Sequence, residues 1–494
     1  MSGGGGQLRV QLCSECVRVL SLVSFFREPG HFVAALFFLM RDQPSLEPRH
    51  LAERNALCFV LFRIFFNCRF YYPVFTILFL DFGLTLKEFA ALNALWAVTI
   101  VLLEVPSGAL ADQIGRRRLV IISAVLMVLE MACLLFMPRG GGAFTFWVFA
   151  LNRVLSGAAE ACASGADEAL TYDSLPVEGR EMAWQKIQAR LLRWSPAGFI
   201  VATVVGAVTY DAPRMTAILR ALGLDVTLSP AVTMRIPLAL CLMTAAAALV
   251  TACRFLPAPT EPKKQALNAT SFAAAFREVL ATGRWIMQSP AVLVLLMTGL
   301  LCDSFLRLFY SVASQFYRVL QIPAEWYGWI GAAGALLGLA TAGLLERTAR
   351  AFQASGLYHL VAALVMTGLW GLAHPVAWWG LWAVVPLWLG MRALHYSLTL
   401  HLNQVISSER RATALSFRGM SMNLAYGAMM QLFGMQTAWM AGRLGAGVDA
   451  QTVFAAVATW WPWAFAASYA TLLAWIALRY GKPLTLLLQD ARKA

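Results

Sequence analysis

Four polar stripes interrupt an otherwise apolar sequence, and their spacing is that of helix faces. Asp303 and Arg307 are four residues apart, with Tyr310 and Ser314 along the same face. Arg392, His395, Tyr396 and Thr399 make a second stripe. Arg153, Glu160 and Asp167 recur at intervals of seven, which places them along one side of a helix. Arg63 and Asn67 are one turn apart, and Arg69 follows. A carboxyl taken out of water favours its neutral form, so Asp303, Glu160 and Asp167 are candidate proton carriers. A neighbouring arginine opposes that preference and can release the proton when a ligand or a helix motion draws it away. The bland readings are a static buried pair for Asp303 and Arg307, and a brace between helices for Arg153 and Glu160. His395 titrates near neutrality or serves as a satisfied structural imidazole. Arg69, Arg153, Arg307 and Arg392 are the candidates for holding an anionic or zwitterionic group, with Asn67, Tyr310, His395 and Tyr396 beside them. Arg63 lies near enough to its helix end to snorkel, which makes the deeper Arg69 the better cavity candidate. Tyr71, Tyr72, Trp96, Trp194 and Tyr426 are weaker candidates for lining an amphipathic site.

The elements that must position these residues are membrane helices. The chain has 494 residues, 60% hydrophobic and only 13% charged; a soluble domain is nearer half apolar and a quarter charged. Apolar runs long enough to span a bilayer fall near 56–80, 87–111, 119–138, 144–170, 192–210, 233–255, 290–317, 326–345, 356–373, 376–404, 413–440 and 458–480. None shows strand-type alternation, which argues against a barrel. Intramembrane charges are costly and normally face a cavity or a partner. The net charge of +13 comes from short basic clusters between apolar runs, without a dense basic patch, and so argues against a nucleic-acid partner. Arg116–Arg118, Lys263, Lys264, Arg410 and Arg411 fall on one side and predict that both termini are cytoplasmic. Residues 256–289 hold three prolines, two lysines and an amphipathic stretch, which reads as a cytoplasmic linker with a surface helix. The predicted organisation is an extension over 1–55, a six-helix bundle over 56–255, the linker, a second six-helix bundle over 290–481, and a cytoplasmic tail over 482–494. Met40 is an alternative start within the extension. Nine scattered cysteines show no disulfide spacing. A lone Cys13-x-x-Cys16 without a second pair or a His cluster predicts no metal site, and no cofactor is expected.

The strongest motif joins the second and third runs: Glu104-Val-Pro106-Ser-Gly108-Ala-Leu-Ala-Asp112-Gln-Ile-Gly115-Arg116-Arg117-Arg118. Gly108 and Ala111 allow close helix approach, Gly115 permits a tight turn, and Asp112 suits a helix N-terminus. A basic loop alone explains the arginines but not this Gly, Asp, Gly spacing. The segment resembles the cytoplasmic signature loop of the major facilitator superfamily, G-x-L-A-D-x-x-G-R-[RK]-x. Gly343-Leu-Leu-Glu346-Arg347 resembles its decayed second copy. Arg153-Val-Leu-Ser-Gly157 resembles the family's R-x-x-x-G motif of proton-coupled members. The segments around Asn67–Pro73, Ser164–Ser174 and Leu402–Thr413 resemble a widespread bacterial branch. Ser195-Pro196-Ala197-Gly198 with Gly206 matches the drug-exporter signature only in part.

The resemblance implies an all-α polytopic membrane protein of the major facilitator fold, with 12 transmembrane helices in two pseudo-symmetric six-helix bundles around a central cavity. It implies a conformational latch at Gly108, Asp112, Gly115, Arg116 and Arg117, with Glu168 and Asp173 as expected partners of the arginines and Asp112 facing the helix that begins near Thr413. The favoured expectation is a monomer in the bacterial inner membrane that exports a small organic molecule in exchange for protons. Proton-coupled uptake of a nutrient or chelate-type ligand is the alternative. A non-transporting receptor or scaffold has less reason to keep intramembrane ions. An enzyme ranks last, because no span carries H-E-x-x-H or a comparable pattern.

Overall fold

The computed structural model describes residues 48–259, 269–351, 354–445 and 447–481. The expected N-terminal extension up to residue 47, the linker lysines Lys263 and Lys264, the tail after residue 481 and the side chain of Asp112 lie outside the described residues. Every regular element described is helical. The first group is α1 (Pro48–Asn67), α2 (Phe75–Asp81), α3 (Leu86–Ile114), α4 (Arg116–Leu135), α5 (Gly142–Ala163), α6 (Ala166–Asp173), α7 (Arg180–Tyr210), α8 (Ala212–Ala221), α9 (Pro230–Thr233) and α10 (Ile236–Arg254). A connecting helix, α11 (Ala269–Gln288), leads to α12 (Pro290–Val319), α13 (Tyr327–Ala340), α14 (Ala342–Ala351), α15 (Ala354–Ala373), α16 (Val384–Val405), α17 (Ser408–Leu444), α18 (Ala450–Ala458) and α19 (Trp461–Tyr480).

Eight stretches among the described residues are long and apolar enough to cross a membrane. The remaining four expected spans are also helical, but α13 is only 14 residues long, and α5, α16 and α17 carry more polar residues. Several of those polar residues, Glu160, Arg392, His395 and Asn423, face a central cavity. The weaker hydropathy of these helices is therefore a consequence of where they face.

Local sequence explains the main boundaries. Thr85 and Glu88 form a reciprocal capping box at the start of α3, with Thr85 Oγ1 accepting from the Glu88 amide at 3.2 Å and Glu88 Oε2 from the Thr85 amide at 2.8 Å. Gly115 (φ 94°) makes the turn into α4, a conformation that side chains rarely adopt. The first apolar run is not one helix. It breaks after Asn67 and resumes through a short 3-10 turn, Tyr72–Val74, that contains Pro73. Backbone groups freed by a break must find partners inside a membrane. Here the Phe70 amide donates to Cys241 Sγ at 3.0 Å, and Thr244 Oγ1 donates to the Cys68 carbonyl at 3.2 Å. Gly206 of α7 lies so close to this segment that a Cβ there would sit 1.7 Å from the Phe70 carbonyl oxygen.

Helices α1, α4 and α7 pack around α10, and α3, α4 and α5 pack on one another. In the second group α12 touches α15, α16, α17, α18 and α19. The groups meet along α3 and α17, along α7 and α13, and where α2 meets α12. Small residues bring α17 onto α3: Gly427 faces Ala94 and Ala97, and Gly434 faces Lys87 and Ala90. The connecting helix α11 touches both α3 and α17. Glu278 accepts from Thr413 Oγ1 at 3.2 Å, and the Arg410 guanidinium lies 5.2 Å from the Trp285 ring.

Candidate functional site

A cavity of about 1240 Å³ lies between the two groups of helices. Helices α1, α3 and α5 supply one wall, with Arg63, Asn67, Trp96, Glu104 and Glu160; Glu168 comes from α6. Helices α12, α16 and α17 supply the other, with Asp303, Arg307, Tyr310, Arg392, His395 and Asn423. Seven of the expected proton-coupling and substrate-cavity residues therefore line one space: Asn67, Glu160, Asp303, Arg307, Tyr310, Arg392 and His395.

Asp303, the one acid among the described lining residues of the second wall, is 1% exposed. Arg307 Nη1 and His395 Nε2 each lie 3.8 Å from one of its oxygens, and Oδ1 has no hydrogen-bond partner. Arg307 is committed elsewhere. Both of its terminal nitrogens donate to Asn423 Oδ1 at 3.1 Å, and its guanidinium lies 4.2 Å from the Tyr426 ring centre. The Tyr426 hydroxyl is 2.6 Å from Ser311 Oγ. Among the described residues, Glu160 faces the cavity without an ion pair, as does Glu104, whose Oε2 is buried without a hydrogen-bond partner. Arg392 is exposed to the cavity with no acid in ion-pair range among the described residues. Its guanidinium lies over Gly338, where an added Cβ would come within 2.7 Å of Nε.

Four expected site residues lie elsewhere. Arg69 and Arg153, each 4% exposed, point into the first group and converge on Glu130 of α4, at 3.1 and 3.7 Å. Glu130 is fully buried. The cause for Arg69 is the break in the first run, which takes it off the α1 stripe; Arg63, not Arg69, reaches the cavity. Arg153 also donates to Asn152 Oδ1 at 2.9 and 2.8 Å, so its acid partner is Glu130 and not Glu160. Asp167 is off the stripe too, because Gly165 (φ 75°) separates α5 from α6. It is fully buried and lies 2.5 Å from Arg63 Nε. Tyr396 does not line the cavity.

At the turn between α3 and α4, Arg116 forms an ion pair with Asp173 at the end of α6. Arg117 is buried, and its Nε donates to the Phe255 carbonyl at 2.7 Å, at the end of α10, where a cation meets the unpaired carbonyls. Glu168 pairs with Arg63 at 3.0 Å. An added Cβ at Gly108 would meet nothing within 4 Å. At the opposite end of the molecule Arg318 grips Asp81 through two bonds of 3.0 and 2.9 Å, joining α12 to α2. Tyr210 donates to the same carboxylate. Arg214 pairs with Glu325 at 3.1 Å, and a Cβ at Gly328 of α13 would sit 2.2 Å from the Thr203 carbonyl oxygen of α7. The two groups are thus in tight contact at the end away from Arg116–Arg118.

Glu130, Glu104, Asn423 and the Asp81–Arg318 pair were not expected from the sequence. Glu130 had a signal, as an acid within the apolar run 119–138. Asp81 and Arg318 also had one: they close the first and seventh runs, at matching places in the two halves.

The family model described as Major Facilitator Superfamily matches residues 57–430. The chain belongs to that superfamily. It is accordingly a multi-pass membrane transporter rather than an enzyme. No curated protein sequence matches it. Among solved structures, a bacterial homologue of the human lysosomal transporter Spinster, inward-facing and unoccupied, is similar at a TM-score of 0.64 and 15% identity, over 91% of this chain and 99% of that one. The nucleoside transporter NupG is similar at 0.59 and 12% identity, over 85% and 99%. A POT family transporter in complex with 5-aminolevulinic acid is similar at 0.56 and 11%, over 88% and 98%. Likeness at these identities establishes the fold.

Proposed function

We propose that this major facilitator transporter exports a small organic molecule in exchange for protons, by rocking its two helix groups around the central cavity. The observation that carries the reading is Asp303: a carboxyl almost wholly buried, bordering the cavity, with one oxygen unpaired and two basic groups at 3.8 Å. Such an acid changes protonation when its neighbours move. Its nearest arginine is held by α17, through Asn423 and Tyr426, so a shift of α17 against α12 alters how much of Arg307 the acid feels. Glu160, on the facing wall and without an ion pair among the described residues, is the second carrier. Asp167 is the fixed counter-ion of Arg63 in this reading.

In this reading the basic segment Arg116–Arg118 lies on the cytoplasmic side of a bacterial membrane, as the bias of basic residues toward that side supports, and the Asp81–Arg318 contact lies toward the outside. The cavity then belongs to a cytoplasm-facing state with the outer end shut. The protein acts as a monomer in the inner membrane, both termini inside.

The test uses inside-out vesicles carrying a respiration-driven pH gradient read by a quenched dye, with drugs, organic acids, amino acids and chelates added in turn. A compound that discharges the gradient with the parent protein is expected to fail with Asp303→Asn and to act weakly with Glu160→Gln. Unchanged responses in both variants refute the carrier assignment, and compound-driven proton movement seen only in right-side-out vesicles reverses the direction.

A further inference from the structure

The charges that border the cavity are sorted by wall. Among the described residues of the first wall, the acids Glu104 and Glu160 make no ion pair, and the one cavity arginine, Arg63, is already taken by Asp167 at 2.5 Å and Glu168 at 3.0 Å. Among the described residues of the second wall the one acid, Asp303, lies beside Arg307 and His395, and Arg392 has no acid in ion-pair range. Among the described residues, one wall thus keeps acids outside any ion pair and the other keeps an arginine outside any ion pair. Phe62, Phe66, Trp96 and Ile100 border the same space and offer an apolar surface to a ligand's body. Unpaired ions at a membrane protein's centre are costly. A ligand that meets both walls at once removes both costs, whereas a simple anion leaves the acids unpaired and a simple cation leaves Arg392 unpaired.

We propose that the cargo is a dipolar organic molecule, its anionic group on Arg392 and its cationic group on Glu160 and Glu104, with an apolar body between them. The bare α-carbon of Gly338 lets the Arg392 guanidinium lie against α13, which fixes the anionic subsite on the second wall. A cargo that touches both walls also draws the two helix groups together, so occupancy favours the closing motion. The proposal rests on the reading of this cavity as the transport site and fixes its substrate class.

The experiment measures equilibrium binding to the purified full chain in detergent, without any gradient, using three probes built on one benzene ring: a phenylalkyl carboxylate, a phenylalkylamine, and a series of aminoalkylphenyl carboxylates of increasing charge separation. At least one dipolar probe is expected to bind about tenfold or more tightly than either single-charge probe, the ratio given by one additional charge-assisted contact. Arg392→Gln is expected to reduce that probe to the level of the amine, and Glu160→Gln to the level of the carboxylate. Arg392→Lys, which keeps the charge, retains part of the gain and shows that loss in Arg392→Gln is not misfolding. Equal binding of the carboxylate and the dipolar probes, indifference to Glu160→Gln, or no binding by any dipolar probe at millimolar concentration overturns the proposal. Because binding needs no proton gradient, failure of proton coupling leaves this measurement intact, and failure here leaves the vesicle test intact.

Discussion

Glu130→Gln separates a structural charge cluster from a transport site. Glu130 is fully buried between Arg69 and Arg153, each 4% exposed, at 3.1 and 3.7 Å. Removing the carboxylate leaves two buried guanidiniums with no acid between them. Breaking one buried pair by removing a single partner costs about 3–5 kcal/mol, because the other charge stays behind. The residual partners here, Asn152 Oδ1 for Arg153 and the Phe66 carbonyl at 3.2 Å for Arg69, moderate the loss toward the low end of that range. A loss of that size is a large part of a total that is typically about 5–15 kcal/mol. Glu160→Gln makes the same chemical change one helix away, on a side chain that faces the cavity without an ion pair, and is expected to alter stability by under about 0.5 kcal/mol. Reversible unfolding of the purified protein in mixed micelles reads both. The double variant Arg69→Met with Glu130→Gln should be more stable than the sum of its single variants by about 1–3 kcal/mol, since the two groups are in contact. If Glu130→Gln is as stable as the parent, or Glu160→Gln is equally destabilised, the division into cluster and cavity is wrong.

Gly328→Val places a side chain where the Thr203 carbonyl oxygen already lies 2.2 Å from an ideal Cβ, and backbone cannot move aside as a side chain can. The variant is expected to fold but to stop transport with the α7–α13 end held apart, seen as faster labelling of Ser311→Cys by an impermeant thiol reagent. Asp81→Asn weakens a half-exposed, two-bond grip, worth about 1 kcal/mol, and should increase the population opened at that end about fivefold. The exchanged pair Asp81→Arg with Arg318→Asp should recover part of the closed population in the same labelling assay. Arg116→Asp is expected to lose transport with little change in expression, and Asp173→Arg added to it should restore a measurable fraction; no recovery in the exchanged protein would show that the pair at the α3–α4 turn acts through something other than its charge.

The apolar runs and the Gly108–Arg118 segment determined the fold class directly, because a bilayer demands about 20 apolar residues per span and a tight turn at Gly115 demands glycine. Spacing also indicated which helix faces would be polar: Asp303 with Arg307 and Arg392 with His395 lie on continuous helices, where position along the chain converts reliably into direction. The same reasoning failed where a helix stopped being a helix. The break after Asn67 turned Arg69 inward and left Arg63 on the cavity, and the turn at Gly165 took Asp167 off the line of Arg153 and Glu160. Neither break interrupts the apolar run, so hydropathy does not register it. Partner choice was decided only by packing. Arg153 has acids at Glu160 and Glu130 within reach of its helix and its neighbour, and the close contact of α4 with α5 gave it Glu130. The grip of Arg318 on Asp81 joins residues 237 positions apart, a distance that local sequence cannot encode and that exists only while the two helix groups meet at that end.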